Sequence, residues 1–434
     1  MRRVAVVGSG ISGLAVAHAL APEAAITLFE AERWFGGHAH SVDVRLEGIE
    51  HAVDTGFLVY NERTYPQLIA LFERLGVATA PSEMSFSVQA PANAWEWCGS
   101  DLNGVFAQRR NLLSPRFLGM LVEVLRFNRL ATAIALRNGD AELDESIGRF
   151  LDRHRFGRAF RDGYLLPMIG CIWSCPTAQM LHFPIATLIR FCHNHGLIQL
   201  SGRPQWRTVR GGSKRYVDKM LASITDARLA TPVRAVHRLP PGGGMAGVIV
   251  ATDAGSERYD EVVLACHSDQ ALALLADASA QERQVLGAIR YQPNRAVLHT
   301  DSTVLPRRQR AWAAWNCERA ADADDEGAGV CLHYLINRLQ PLPWKTPVLV
   351  SLNPLRPICP DAVLGQWDYA HPVFDRAAVQ AQRQVPALQG RSHVWFCGAW
   401  TRYGFHEDGL MSGLAVVDGL RARWAAQAAT GQAA

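Results

Sequence analysis

Residues 4–13 read Val4-Ala5-Val6-Val7-Gly8-Ser9-Gly10-Ile11-Ser12-Gly13, and this stretch decides the fold. A β-rich run of three valines and an alanine leads into glycines spaced Gly-x-Gly-x-x-Gly, and the helix-compatible run 14–20 follows at once. A second β-rich run, 26–29, ends on Glu30. Strand, tight turn, helix and strand within about 30 residues is the length of a βαβ unit. Each glycine meets a different need: Gly8 a tight turn, Gly10 the approach of backbone to a pyrophosphate, Gly13 close packing of helix on strand. Ser12 belongs to the same turn, at the helix start that faces phosphate charge. Glu30, about 20 residues on, is placed to accept hydrogen bonds from an adenosine ribose. The spacing therefore predicts a Rossmann-type dinucleotide site.

Outside this unit, the 434 residues leave room for two or three packed regions with substantial cores. With 49% hydrophobic and 19% charged residues, the composition is that of a globular protein. Net charge is only +4, with lysine confined to Lys214, Lys219 and Lys345, so no nucleic-acid partner is expected. The most apolar stretches carry residues such as Glu123 and Arg126, so none offers the roughly 18 uninterrupted apolar residues of a membrane span. Surface attachment is left open. Arg2 and Arg3 ahead of an apolar run, with Ala17-His18-Ala19 after it, imitate a signal peptide, but the glycine spacing inside the run argues for strand, turn and helix. Nine cysteines without a compact framework read as reduced thiols of a cytoplasmic protein, with the inner face of the membrane as a peripheral docking place. Disorder is expected only at the ends, as in the tail 425–434.

Ser114-Pro115 reads as an N-cap and first-turn proline opening a helix in which Leu118, Leu121, Val124 and Leu125 share a face. Arg109, Arg110 and Arg116 among large apolar residues suit a helix at a membrane interface, and equally an amphipathic helix buried against its neighbours. A mostly helical region is expected to about Gly196, and a further helix from Gly211-Gly212. Strands are expected at 233–239, 247–252, 259–265, 296–300, 348–352 and 394–396, with 240–244 as a hairpin connection, and a last helix from about Leu410. There is no internal repeat.

NAD and FAD share the glycine fingerprint. Two features favour FAD: the pair Gly36-Gly37 shortly after Glu30, and, far along the chain, Gly398 followed by Glu407-Asp408-Gly409-Leu410-Met411-Ser412-Gly413. With these motifs the chain resembles the flavin amine oxidase superfamily, which includes monoamine oxidases, protoporphyrinogen oxidases and carotenoid desaturases. The resemblance covers both ends of the chain and residues 210–265. It implies that Gly36 and Gly37 pass the pyrophosphate, that Val233 lies against the adenine, and that Gly398, Gly409 and Leu410 meet the flavin ring. Leu410 would offer a helix-start N–H to charge on the reduced flavin. The chain departs from the family's pattern at His38, where an arginine is common, at Ala399-Trp400 after Gly398, and at His406, where an aromatic residue faces the flavin. Residues 54–61, 203–207 and 404–409 further resemble a bacterial group of FAD-binding proteins linked to lipid methyltransferases of the cyclopropane-fatty-acid-synthase type. That resemblance brings Gly56 into the cofactor site, and implies a methyl-branched or unsaturated acyl chain as substrate and a lipid methyltransferase as partner.

His406 is the candidate base, since a histidine titrates near neutrality; a packing role is its plain alternative. Of Glu407 and Asp408, one is expected to point inward and the other to cap the following helix. His38 is assigned to the cofactor, His38 and His40 being read as structural or phosphate contacts. Phe57, Trp173 and Trp206 are expected to wall the substrate, with Trp95, Trp97, Trp312 and Trp315 adding apolar surface. Cys171, Cys175, Cys192, His193 and His195 match no strong metal spacing, so no metal is assigned. FAD should be held without a covalent bond, because no segment around Cys397 matches the cysteine motif of covalent family members. The expected architecture is α/β: an FAD-binding domain of parallel sheet plus β-meander from residues 1–85, 200–270 and 385–434, and a discontinuous α+β substrate domain from 86–199 and 271–384. An FAD-dependent oxidoreductase follows, with desaturation, amine oxidation, carotenoid-type desaturation and a non-enzymatic flavoprotein as the competing functions.

Overall fold

The strand Arg3–Val7, the helix Ile11–Leu20 and the strand Ala25–Phe29 form the expected βαβ unit. This computed structural model describes residues 1–90, 95–137, 145–173, 177–199, 201–240, 246–319 and 331–429. Cys175, most of the 240–244 connection and the last five residues of the tail lie outside them.

The two strands continue a five-stranded parallel sheet in the order Asp226–Arg228, Ala25–Phe29, Arg3–Val7, Glu261–Leu264, Val394–Phe396. Apart from the edge strand Asp226–Arg228, its strands are largely buried on both faces, so they read as apolar runs rather than alternating ones. On one face lie Ile11–Leu20 and the last helix, His406–Ala429; on the other lies the antiparallel meander Val233–Arg238, Val248–Thr252, Gly255–Tyr259. The two helices approach closely because small residues meet: a Cβ on Gly413 would stand 2.4 Å from the Ser12 carbonyl oxygen. Trapped between sheet and helix, Ile11–Leu20 buries Leu14, Val16 and Leu20 completely, each contributing about 1.5–3 kcal/mol.

A second, seven-stranded sheet runs Val363–Pro372, Tyr291–His299, Leu349–Leu352, Cys331–Leu335, Trp315–Glu318, Phe86–Ala90, Trp95–Cys98. The helices from Pro115–Arg137 to Ile185–Asn194 pack with it around the largest core. Ser41–Leu46 pairs with Ile49–Asp54, and Trp206–Val209 with Tyr60–Asn61 and Thr79–Ser82, in two smaller sheets.

Three expectations are corrected. The run 259–265 is two strands, because Asp260 ends the meander and accepts the Arg3 N–H (2.8 Å), turning the chain into the parallel sheet. The strands at 79–82, 86–90 and 95–98 had no sequence expectation; all are short, and the last two are mostly buried on both faces, so they lack alternation. The last helix starts at His406, four residues before Leu410, with the Phe405 carbonyl accepting the Gly409 N–H (3.0 Å).

Candidate cofactor and substrate site

The strand ends Val7, Phe29 and Leu264 converge on the glycine turn. Gly8 has φ of +103°, and a Cβ there would stand 2.8 Å from the Ala265 carbonyl oxygen. Gly13 is tighter still, since its Cβ would come within 1.9 Å of the Gly8 carbonyl oxygen. Gly10 differs: nothing lies within 4 Å of the place its Cβ would take. Over it passes the Gly36-Gly37 loop, both residues at positive φ, with the Gly37 Cβ position 3.2 Å from Gly10 Cα. Ser9, which the sequence reading passed over, ties these parts together. Its N–H and hydroxyl donate to one Glu30 oxygen (2.9 and 2.5 Å), and its hydroxyl oxygen accepts the Gly36 N–H (3.0 Å). The other Glu30 oxygen takes the Glu32 N–H (2.9 Å), so Glu30 braces the turn itself, whatever it offers a ribose. The Ser12 hydroxyl reaches the buried Cys397 thiol, whose pKa burial raises well above its usual range. Val233 is buried with Val7, Phe29 and Leu264 on the meander side.

Beyond Gly37 the chain enters a group of histidines. Gly56 lets the 54–57 segment lie on the loop, for its Cβ would stand 2.3 Å from the His38 carbonyl oxygen, which accepts the Phe57 N–H (2.7 Å). The His38 ring lies 4.9 Å from Tyr369 and 5.2 Å from His371. Burial, with His267 and His40 nearby, lowers its pKa to about 4. Its Nε2 is buried with no partner among the described residues. His40 is paired by contrast, with Tyr369 and Thr55 hydroxyls each 3.0 Å from Nδ1 and Trp34 stacked on its face at 4.2 Å. Behind the loop, Asp54 accepts from Ser41, Ser213 and Gln340; burial nonetheless pushes its carboxyl up to about 6.

His406 stacks on Phe57 with ring centroids 3.8 Å apart and planes 10° apart. Its Nε2 lies 2.6 Å from the hydroxyl of Tyr216, a fully buried residue 190 positions away. Burial raises the Tyr216 pKa, so the phenol keeps its proton, and His406 is the partner to which it can donate. With the imidazole proton on Nδ1, Nε2 accepts from the phenol; with it on Nε2, the ring donates to the phenol oxygen. Burial also lowers the His406 pKa to about 3. Both the bond to Tyr216 and the lowered pKa oppose the expected base, because Nε2 is already engaged and the conjugate acid is strong.

Glu407 and Asp408 both turn to backbone. The Glu407 oxygens accept the N–H groups of Gln67 and Leu68 (2.8 and 2.9 Å), capping the helix Pro66–Leu75, and Asp408 accepts the Phe405 N–H (3.0 Å). Asp408 caps the following helix as expected, from within its first turn, whereas Glu407 caps the helix Pro66–Leu75, so the expected inward carboxylate is missing: both side chains satisfy helix-end donors. This acidic first turn was the sequence signal for a helix starting at His406. Leu410 accordingly lies in the second turn, where an α-helix spends each N–H on the carbonyl four residues back, so it is not the helix-start donor expected. Gly409 abuts the first helix, its Cβ position 2.8 Å from Ile11 Cγ2, and Gly398 lies under the Trp400 indole, which donates to the Cys266 carbonyl (3.1 Å).

From His406 an aromatic wall extends into the largest core. Phe405 stacks on Phe191 at 4.7 Å, Phe191 lies 5.1 Å from Trp173 and 3.9 Å from His195, and His195 lies 6.1 Å from Trp206. Trp173 also donates to the Tyr403 carbonyl (3.3 Å). Trp95 and Trp97 belong to the same core, whereas Trp312 packs in a separate cluster with Val304 and Leu305.

One described group has metal-like spacing: Glu318, Cys331 and His333, all buried. A fixed donor decides its protons. The Asp301 N–H points at His299 Nδ1 (3.1 Å), so the His299 proton is on Nε2 and donates to Ser351 Oγ (2.7 Å). The Ser351 hydroxyl then donates to His333 Nδ1 (2.6 Å), and His333 Nε2–H donates to Glu318 (3.0 Å), whose other oxygen meets Arg356 (3.1 Å). The nitrogen facing Cys331 and Glu318 carries a proton, which a metal ligand does not. Cys171 is buried against Cys317, and His195 Nδ1 bonds its own helix at the Phe191 carbonyl (3.0 Å).

The family model described as flavin containing amine oxidoreductase matches residues 11–337. Three solved structures share the fold over nearly the whole chain. A fatty acid isomerase from P. acnes is 13% identical, with 96% of this chain and 98% of that one covered and a TM-score of 0.66. A cyclohexylamine oxidase from Brevibacterium oxydans is 15% identical, with 97% and 99% covered and a TM-score of 0.66. A putrescine oxidase bound to putrescine is 15% identical, with 97% and 99% covered and a TM-score of 0.65.

Proposed function

Because this chain belongs to the flavin-containing amine oxidoreductase family, and is thus an FAD-dependent oxidoreductase, we propose that its substrate is a long apolar molecule, a methyl-branched or unsaturated acyl chain. The residues present fit FAD: the space over Gly10 suits a pyrophosphate at a helix N-terminus, and the orphaned His38 Nε2 awaits a polar partner. Gly8, Gly10, Gly13, Gly36 and Gly37 would hold the phosphates, with Glu30 and Val233 toward the adenosine and His38, Gly56, Gly398 and Gly409 toward the ring. Bound FAD supplies a hydride acceptor at N5.

The acyl reading rests on the wall formed by Trp173, Phe191, Trp206 and Phe405, next to which both carboxylates, Glu407 and Asp408, are spent on backbone N–H groups. An ammonium group would meet no free countercharge there, whereas a hydrocarbon gains about 25 cal/mol per Å² buried. Stacking of His406 on Phe57 also leaves no gap between these two rings for an amine to enter. Tyr216 and Phe57 fix the His406 plane, so His406 acts by positioning rather than by taking the proton. The expected partnership with a lipid methyltransferase extends this reading to acyl chains carried on phospholipid.

Anaerobic mixing with lipids and amines tests it. Methyl-branched or unsaturated fatty acids should bleach the flavin absorbance, and putrescine and cyclohexylamine should not. Rapid bleaching by either amine would replace the acyl reading with amine oxidation, and a flavin that no lipid reduces would remove it.

A further inference from the structure

Twelve large apolar side chains stand exposed among the described residues, and seven of them fall between Leu102 and Leu136. Leu113 is 88% exposed, Leu102 76%, Leu136 70% and Val122 65%. On the helix Pro115–Arg137, Leu118, Val122, Leu125, Arg129 and Leu136 recur at the spacing of a single face. The opposite face is also apolar: Phe117, Met120, Phe127 and Ala131 are buried in the core that contains the aromatic wall. One helix thus carries two apolar faces, and among the described residues only one of them has a protein partner. Leu112 and Leu113, on the turn Arg109–Leu113 just before it, extend the exposed face.

Charge names the occupant. Residues 109–137 hold six arginines, Arg109, Arg110, Arg116, Arg126, Arg129 and Arg137, against one acid, Glu123. Glu123 is turned to the Gly157 N–H (2.9 Å). A face of protruding leucines rimmed by guanidinium groups matches the boundary of an anionic bilayer, where apolar side chains enter the acyl region and cations stay with the headgroups. A second protein would have to match the same arginines with acids, and a second copy of this face brings only more arginines. No helix among the described residues is long and apolar enough to cross a membrane, so the contact is a surface one.

We propose that Leu102, Leu112, Leu113 and the Leu118–Val122–Leu125–Leu136 stripe form a docking surface for an anionic lipid bilayer. The proposal needs no particular reaction, and its test reads binding without turnover, so its failure is distinct from failure of the acyl reading.

FAD-loaded protein is floated with vesicles of equimolar phosphatidylglycerol and phosphatidylcholine, and with phosphatidylcholine alone. Binding should favour the anionic vesicles and weaken with salt. The double variant Leu113→Asp/Val122→Asp should lose about tenfold or more of that binding, from lost insertion and added negative charge. Leu364→Asp, at an exposed leucine outside the patch, should bind as the parent does. Retained flavin absorbance and an unchanged melting temperature certify the fold of each variant. Equal binding by the double variant, or no binding by the parent, overturns the proposal. So does a parent dimer that Leu113→Asp/Val122→Asp converts to a monomer, which would give the surface to a second copy.

Discussion

Two groups of histidines sit in this molecule, one half-buried and one fully buried, and they differ in how their ring nitrogens are paired. Near the glycine turn, His38, His371, His267 and His406 crowd together, and His38 Nε2 has no partner among the described residues. In the seven-stranded sheet, His299 and His333 are at least as buried, yet every ring nitrogen is paired in a chain from the Asp301 N–H to Glu318. Burying a polar atom without a partner costs about 1–3 kcal/mol, so a fold keeps such an atom where a ligand completes it. The paired group has nothing to offer a ligand. The difference separates a binding surface from a structural brace more sharply than residue type does, since both groups are histidine.

The largest effects should come from the glycines beside the open group. Gly13→Val should prevent folding, because its Cβ would overlap the Gly8 carbonyl oxygen at 1.9 Å. Gly10→Val should fold with a normal circular dichroism spectrum but retain no FAD after gel filtration, since that Cβ position is empty until a pyrophosphate approaches. A Gly10→Val protein that is fully yellow would break the assignment of the open region to the cofactor.

The paired group should answer in the opposite sense. His333→Leu leaves Ser351 and Glu318 without their shared partner in a fully buried place, costing about 3 kcal/mol. Its denaturant midpoint should fall while the folded fraction keeps a full complement of FAD. Loss of flavin at unchanged stability would erase the distinction between the groups.

How far this distinction could be read in advance depends on sequence distance. The glycine turn and the acid closing the second strand were legible because strand, turn and helix are local, and one fingerprint carries their steric demands. Ser9 escaped because its role depends on Glu30 and Gly36 arriving together. His299 and His333 drew no attention, since their pairing exists only through the register that sets Ser351 opposite His333. His406 was found by motif spacing, but its protonation was not, because Tyr216 comes from a helix 190 residues earlier. Of the acidic pair, Asp408 caps locally at Phe405 as its position suggests, but the role of Glu407 was not legible, for its partners at Gln67 and Leu68 lie about 340 positions away.

Acidification should produce a moderate effect. Seven histidines, His38, His40, His195, His267, His299, His371 and His406, have pKa values lowered by burial to about 3 or 4. Between about pH 6.5 and pH 4 the unfolded chain binds protons that the folded one refuses, so stability falls as pH falls through that window. Asp54 and Asp408, raised by burial to about 6, act in the other direction, the folded state taking their protons first. Seven groups outweigh two, and the melting temperature should drop from pH 7 to pH 5. If stability instead rose toward pH 5, the carboxyls would dominate and the histidines could not be neutral in the folded state.

The smallest effect should come from the His406 pair, and it decides whether that ring moves a proton or holds a position. If His406 were a general base, His406→Ala would slow flavin reduction by about 10²- to 10⁴-fold, and the rate would follow a titration near neutrality. The geometry predicts less: Nε2 is already hydrogen-bonded to Tyr216, burial keeps the ring neutral, and Phe57 holds the ring plane. His406→Asn, which keeps a donor, should therefore slow reduction by only about tenfold, with no inflection between pH 6 and 8. Tyr216→Phe tests the same bond from the other side. It frees Nε2, so a base would work better without the phenol, whereas a positioned donor would lose orientation and slow by a similar factor of about ten. Faster reduction in Tyr216→Phe, with a new pH dependence, would return His406 to the role of base and place it with the groups that act on substrate.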